Sequence, residues 1–421
     1  MRFYFIIFGL PVISLIWWCW ADRQLIKLAV RPTWRLALGC FVIIQLIAYG
    51  WLTMSRFNSE LHPGPAILIA SAYIWNLLAV PLAGSIASAA IFFSLISSLR
   101  RRLKSHRAAP RPAALDTGER PLARSPDDLG DAPTTQPTLW TRRQILAASV
   151  VAIPPAFSIA ATGRALYQVQ SFRVRDIDVP IPNLPAALDG ATIAHLSDIH
   201  VGRFTNGTVL RAIVDATNAL RADLVLVTGD LIDYAISDLP TALDAVRKLD
   251  ARSGVYCCEG NHDLFDDRNE FEQQSRAANI GMLLNESAST RVRGVDVQLL
   301  GLRWGSNLNV RNAGLEENIP GLFKQRHADV FPILLAHHPH AFDSAVQAGI
   351  PLTFAGHTHG GQLMLANDIG PGPLMFKYWS GLYSQGASSL VVSNGTGNWF
   401  PLRTFAPAEI VHITLRQART A

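Results

Sequence analysis

The sequence predicts an α/β domain behind an α-helical transmembrane region. Three observations carry this. Residues 1–99 hold three long apolar runs. Residues 168–421 alternate short β-branched runs with stretches of helical period. The runs that end near Leu196, Thr228 and Cys258 are each followed closely by Asp, His or Asn. That is where open α/β sheets bind ligands.

Phe3 to Ala21 is almost wholly apolar, about long enough to span hydrocarbon, with Trp17, Trp18 and Trp20 clustered at one end. Trp34 to Met54 is a second span. Ala66 to Ser98 is a third, too long for one straight crossing, so a tilted or kinked helix is expected. Residues 100–143 open with Arg100-Arg-Arg-Leu-Lys104 and continue Pro-rich without apolar period, which predicts a disordered basic linker. Its charge places it in the cytoplasm, and the N-terminus outside. Residues 144–167 form a modest apolar run behind Arg142-Arg143. It reads as a fourth transmembrane helix or as a segment that resembles a twin-arginine export signal, with an interfacial helix kept in the cytoplasm as a third reading, since Pro154-Pro155 weakens a clean span. The first two readings put residues 168–421 outside the cytoplasm, on a multi-pass protein of the cell (inner) membrane, and that is the expectation.

Within 168–421 the elements follow in order. Val174–Val179 alternates as a strand. Ala191–Leu196 is a strand that leads into Asp198 and His200, and Gly207–Leu220 is a helix with Val209, Ile213 and Ala216 on one face. Asp223–Thr228 is a strand running into Gly229-Asp230-Leu231-Ile232-Asp233. A helix over 239–249 precedes a strand over 254–258, which leads to Gly260-Asn261-His262-Asp263. A helix over 270–279 and strands over 295–302, 330–336, 352–355, 389–393 and 409–415 complete the pattern. The aromatic segment Met375–Tyr383 reads as core packing or a loop anchor, with a substrate pocket as the alternative.

Asp and His are the donors that Mn, Zn or Fe take. Two such ions close together need a bridging carboxylate, imidazoles and an open edge. Asp230 fits as the oxygen ligand shared by two metals. In Asp198-Ile-His200 the two side chains stand two apart, as do those of His357 and His359, so an extended backbone would project each pair to one side. Asn261 offers a neutral amide oxygen, and His337-His338 precedes Pro339. Each motif alone has an ordinary reading, as a capped or surface histidine or a turn. It is their joint order, each after a strand, that points to a metal site. His195, His327, His340 and His412 carry only the ordinary reading.

Asp-x-His, Gly-Asp-x-x-Asp, Gly-Asn-His-Asp, His-x-Pro and Gly-His-x-His together resemble the calcineurin-like metallophosphoesterase superfamily. Gly356-His-Thr-His-Gly-Gly-Gln362 and Ala336-His-His-Pro339 are most similar to its membrane-associated bacterial branch, related to UDP-2,3-diacylglucosamine hydrolase. The resemblance covers roughly 170–416. It implies a four-layer α/β/β/α sandwich and a dinuclear, metal-dependent hydrolase of phosphoric ester bonds. By the same resemblance, Asp198, His200 and His359 hold one metal, Asp230 bridges, and Asn261, His337 and His357 hold the other. His337 rather than His338 matches the family motif. His262 stabilises the transition state or protonates the leaving group, and Asp263 orients it.

Composition narrows the partners. Residues 144–421 carry 21 Lys/Arg against 25 Asp/Glu, so the formal +5 of the whole chain belongs to its first third. A nucleic-acid enzyme would carry a basic footprint on this domain, and none is expected here. Four cysteines give no disulfide framework. The expected substrate is a phosphate ester, lipid-linked in view of the membrane anchor. The alternatives are a nucleotide or nucleic-acid phosphodiesterase and a non-enzymatic membrane sensor or scaffold.

Overall fold

The computed structural model describes residues 9–55, 64–85, 141–169, 171–305, 315–362, 376–401 and 405–418, with a few isolated positions between them. The chain forms two compact units, Met1–Ala160 and Ala161–Ala421.

The first unit is helical. Its elements are α1 (Leu10–Lys27), α2 (Pro32–Ser55) and α3 (Ala66–Tyr73), which widens into a π-helical stretch over Ile74–Ala79 and runs on to Ser85. The start of the expected first span, most of the expected third span beyond Ser85, and residues 101–140 of the linker expected over 100–143 lie outside the described residues. The ion pair Arg35–Asp22, 2.7 Å, ties the end of α1 to the start of α2. Buried Trp75 donates to Ser14 Oγ at 2.8 Å, so α1 and α3 meet through a satisfied polar contact. Helix α4 (Arg142–Val169) continues through Pro154 and Pro155. Each proline removes one intrahelical donor without ending the helix. Among the described residues, Pro32–Ser55, Ala66–Ser85 and Gln144–Val169 are long and apolar enough to cross a membrane.

The second unit holds two six-stranded sheets. One has the order β1-β12-β2-β3-β4-β5. These are β1 (Phe172–Ile181), β2 (Thr192–Leu196), β3 (Leu224–Thr228), β4 (Val255–Cys258), β5 (Gly281–Met282) and β12 (Ala408–Gln417). The other has the order β10-β11-β9-β8-β7-β6, from β6 (Glu286–Val292), β7 (Val295–Gly301), β8 (Phe331–Leu335), β9 (Leu352–Ala355), β10 (Gly381–Gln385) and β11 (Ser388–Val392). Strand alternation explains the layers. Ile193, Leu224 and Leu226 point between the sheets and meet Leu299, Ile333, Leu335 and Phe354. Their neighbours Ala194, Leu196, Val225 and Val227 point outward, into a core shared with α5 (Gly207–Ala219) and α6 (Leu239–Arg247). Helices α7 (Arg268–Ala277), α8 (Leu315–Phe323) and α9 (Ala341–Gln347) complete the outer layers, giving α/β/β/α.

Several elements differ from expectation. Helix α7 starts at Arg268 because the Asp267 side chain accepts from the Glu270 amide at 3.0 Å, capping it two residues early. Strands β5, β6 and β10, and helices α8 and α9, were not legible as elements. Tyr378 and Trp379 are buried, and the Tyr378 hydroxyl donates to Asp343 at 2.7 Å, so this pair belongs to the core.

Candidate metal centre

Parallel pairing sends β2, β3 and β4 in one direction, and β8 and β9 likewise run parallel. Their C-terminal ends meet, and every predicted site residue sits on a loop there. The two sheets are tied at this edge: His337 Nδ1 lies 2.7 Å from the Thr228 carbonyl, and the His357 amide donates to both Asp198 oxygens at 3.0 and 3.1 Å.

The expected extended geometry of Asp-x-His does not hold. Asp198, His200, Asp230, His357 and His359 all have positive φ, between 48° and 69°. Left-handed turns, which Asp and His tolerate better than most residues, aim each side chain inward. Gly229, at φ 81°, precedes Asp230, and a Cβ there would lie 2.7 Å from Gly260 N and from His337 Nδ1. Only glycine admits that approach.

The structure brings the seven predicted ligands together. His359 Nε2 lies 3.1 Å from Asp198 Oδ1 and 3.1 Å from His200 Nε2. Asp230 Oδ2 is 3.1 Å from His337 Nε2 and 3.6 Å from His200 Nε2. It therefore faces both halves of the cluster, while its Oδ1 accepts the His262 amide at 2.8 Å. His357 Nδ1 lies 2.9 Å from Asn261 Oδ1 and 3.3 Å from His337 Nε2. Among the described residues three three-donor groups could hold a metal ion: Asp198, His200 and His359; Asp198, Asp230 and His337; and His200, Asp233 and His262. His338 turns aside, its Nδ1 accepting the His340 amide at 3.2 Å. His195 is a core histidine, 2.8 Å from Thr228 Oγ1, and burial pushes it down to about 3.

The electrostatics fit bound cations. Burial disfavours the charge on Asp198, yet the His359 and His337 rings hold its carboxyl well below the usual range. Asp230 is likewise lowered, against burial, by His337 and His262. Burial works against charge on His337 too, but the Asp230 and Asp198 carboxylates push it up to about 9. Without metal, protons on histidine are what balances two buried carboxylates. Divalent cations at the same nitrogens and oxygens supply that charge instead, so the donor set suits divalent ions.

One predicted role is corrected. Asp263 does not touch His262. Its carboxylate accepts the amides of Asp230 and Gly260, both at 2.9 Å, and of Ile232 at 3.1 Å, locking three loop segments together. Burial and the Asp230 carboxylate push Asp263 up to about 7. The residue that orients His262 is Asp233, whose carbonyl lies 2.5 Å from His262 Nδ1 and whose carboxylate lies 3.6 Å away. Since Nδ1–H donates to that carbonyl, Nε2 is left for chemistry. Asp233 also stands 3.9 Å from His200 Nδ1. Its signal was the closing residue of Gly-Asp-x-x-Asp. Two further residues had no sequence signal. Trp304 packs its ring 5.4–5.9 Å from those of His337, His338 and His357. Arg403, fully buried, donates to the carbonyls of Asn394, Ala406 and Gly397 and reaches His359 Nδ1 at 3.3 Å.

Residues 191–361 match the model of the calcineurin-like phosphoesterase family, and the fold and the donor set agree with that match. The chain is 30% identical, over 66% of its length, to a "Transmembrane protein with metallophosphoesterase domain" of Danio rerio, and spans 63% of that relative. The protein of the same description from Bos taurus is 25% identical over 90% of this chain and 82% of its own. "Phosphodiesterase YaeI" of Escherichia coli K12 is 25% identical over 53% of this chain and 81% of its own. Two of these relatives are named as transmembrane proteins, and three helices of this chain are, among the described residues, long and apolar enough to cross a membrane.

Proposed function

We propose that the chain is a membrane-anchored, dinuclear metal-dependent phosphoesterase. The observation that carries this is Asp230, whose Oδ2 faces His337 on one side and His200 on the other. Asp198, His200 and His359 would hold one ion of Mn, Zn or Fe. Asn261, His337 and His357 would hold the second, with Asp230 shared. When bound, such ions supply Lewis acidity: they neutralise phosphoryl oxygens and activate water.

The chain's own residues do the rest. The His262 amide fixes Asp230 Oδ1, leaving Oδ2 to the metal side. Asp233 holds the His262 Nδ1 proton, so His262 Nε2 is placed to donate a proton to the departing oxygen. Burial opposes charge on His262, but Asp230 and Asp233 outweigh it and raise its pKa, which favours the acid form. The finer reading is a lipid-linked or nucleotide-linked phosphodiester such as UDP-2,3-diacylglucosamine, met on the extracytoplasmic side. Three apolar helices support a substrate met at a membrane, and the similarity to a named phosphodiesterase supports a diester.

Full-length protein with Asp230→Asn and His262→Ala tests the roles. Asp230→Asn is expected to lose bound metal and turnover together. His262→Ala is expected to keep its metal and lose roughly 10²–10⁴ in rate. Loss of metal in His262→Ala would overturn its assignment as a proton donor.

A further inference from the structure

Beside the metal cluster, the rim around His262 is aromatic. Phe265 packs its ring 4.6 Å from that of His262, and Tyr234 stands 6.3 Å beyond Phe265. Trp399 lies 5.6 Å from His262 and 6.4 Å from His359. Tyr234 is 50% exposed and Phe265 37%, although neither is needed to close the core. Tyr234 and Phe265 are exposed and Trp399 is half-buried, and exposed rings beside a catalytic side chain cost solvation unless something apolar covers them.

We propose that Tyr234, Phe265 and Trp399 form a shelf for the leaving group, and that this group is apolar. This rests on the phosphoesterase reading, because His262 marks the side on which the ester oxygen departs. A phosphorus held at the Asp230 edge, with its leaving oxygen toward His262 Nε2, directs the attached organic arm onto the rings that flank His262. Their chemistry selects an acyl chain or a planar ring over a polyanionic group. An acyl chain and an aromatic base share this apolar chemistry, and the test separates them.

The probes are alkylphosphonates with methyl, ethyl, propyl and butyl arms joined to phosphorus through carbon, which have no ester bond to hydrolyse and stay in water. They are titrated by calorimetry into the full-length protein in nanodiscs with Mn. Full burial of a methylene is worth about fourfold in affinity, so contact on one face gives about twofold, or about eightfold from methyl to butyl. Tyr234→Ser is expected to reduce that gain to about fourfold, and Tyr234→Ser with Phe265→Ser to below about twofold. Val174→Ser, which alters an exposed apolar residue on the edge strand β1, is expected to keep the full gain. A benzyl arm binding more than about tenfold tighter than butyl assigns a planar group, and equal binding assigns a chain. Affinity independent of arm length, or a gain that survives the double variant, overturns the shelf. Graded binding without turnover of any phosphoester would leave an apolar binding surface but overturn its role as a leaving-group shelf, together with the hydrolase reading.

Discussion

Asp263→Ala is the change whose outcome separates this account from the motif reading. The carboxylate accepts three buried amides, those of Asp230, Gly260 and Ile232, at 2.9, 2.9 and 3.1 Å. Removing it strands all three. An orphaned buried donor costs about 1–3 kcal/mol, and water admitted to the vacated volume favours the lower half of that range, so the total is roughly 3–6 kcal/mol. For a unit of this size that lowers the melting temperature by on the order of 10 °C. Asp230 loses the anchor of its backbone at the same time, so metal affinity should fall about 10–100-fold. Differential scanning fluorimetry and a Mn titration on the full-length protein read both effects. A variant that melts with wild type and binds Mn as tightly, but turns over slowly, would show that Asp263 acts through His262 after all.

Two other perturbations follow from the same edge and its base. Gly229→Ala requires a Cβ at φ 81° against Gly260 N and His337 Nδ1, so a loss of about 3 kcal/mol or more is expected, together with weakened metal binding. Asp223 is held below its usual pKa: burial alone would raise it, but the Thr192 amide, Arg252 and Arg293 outweigh that. A carboxyl lowered in the folded state stabilises above its unfolded value and loses that stabilisation as pH falls through the folded one. Asp223→Asn should therefore melt lower than wild type at neutral pH, with the gap closing below about pH 4. A gap that stays constant with pH would assign the effect to packing.

The site was legible where its residues had to stand at strand ends. Leu224–Thr228 is buried on both faces, so its sequence is a plain apolar run, and the polar residue after it stands out. The same logic exposed Asp198, Asn261, His337 and His357. Backbone conformation was not legible: five ligand positions adopt left-handed turns, and the i, i+2 spacing that suggested an extended pair arises another way. Asp233 and Asp263 are the same residue type and equally close to the motif cores. Only the packed loops show that Asp263 collects amides while Asp233 faces His262. Strand β6 escaped notice because Glu286–Val292 is polar and its side chains are only partly covered. Arg403 and Trp304 come from loops distant in sequence, and no local pattern announces a residue whose role is to pack against a histidine.

The most direct test of the central claim is the metal content of the full-length protein, measured as Mn is returned to the chelated form, with phosphodiester turnover followed alongside. Two ions per chain are expected, with turnover that rises with the second ion and loss of both ion and turnover in Asp230→Asn. Full turnover in the chelated protein, or in Asp230→Asn with its metal intact, would contradict the claim.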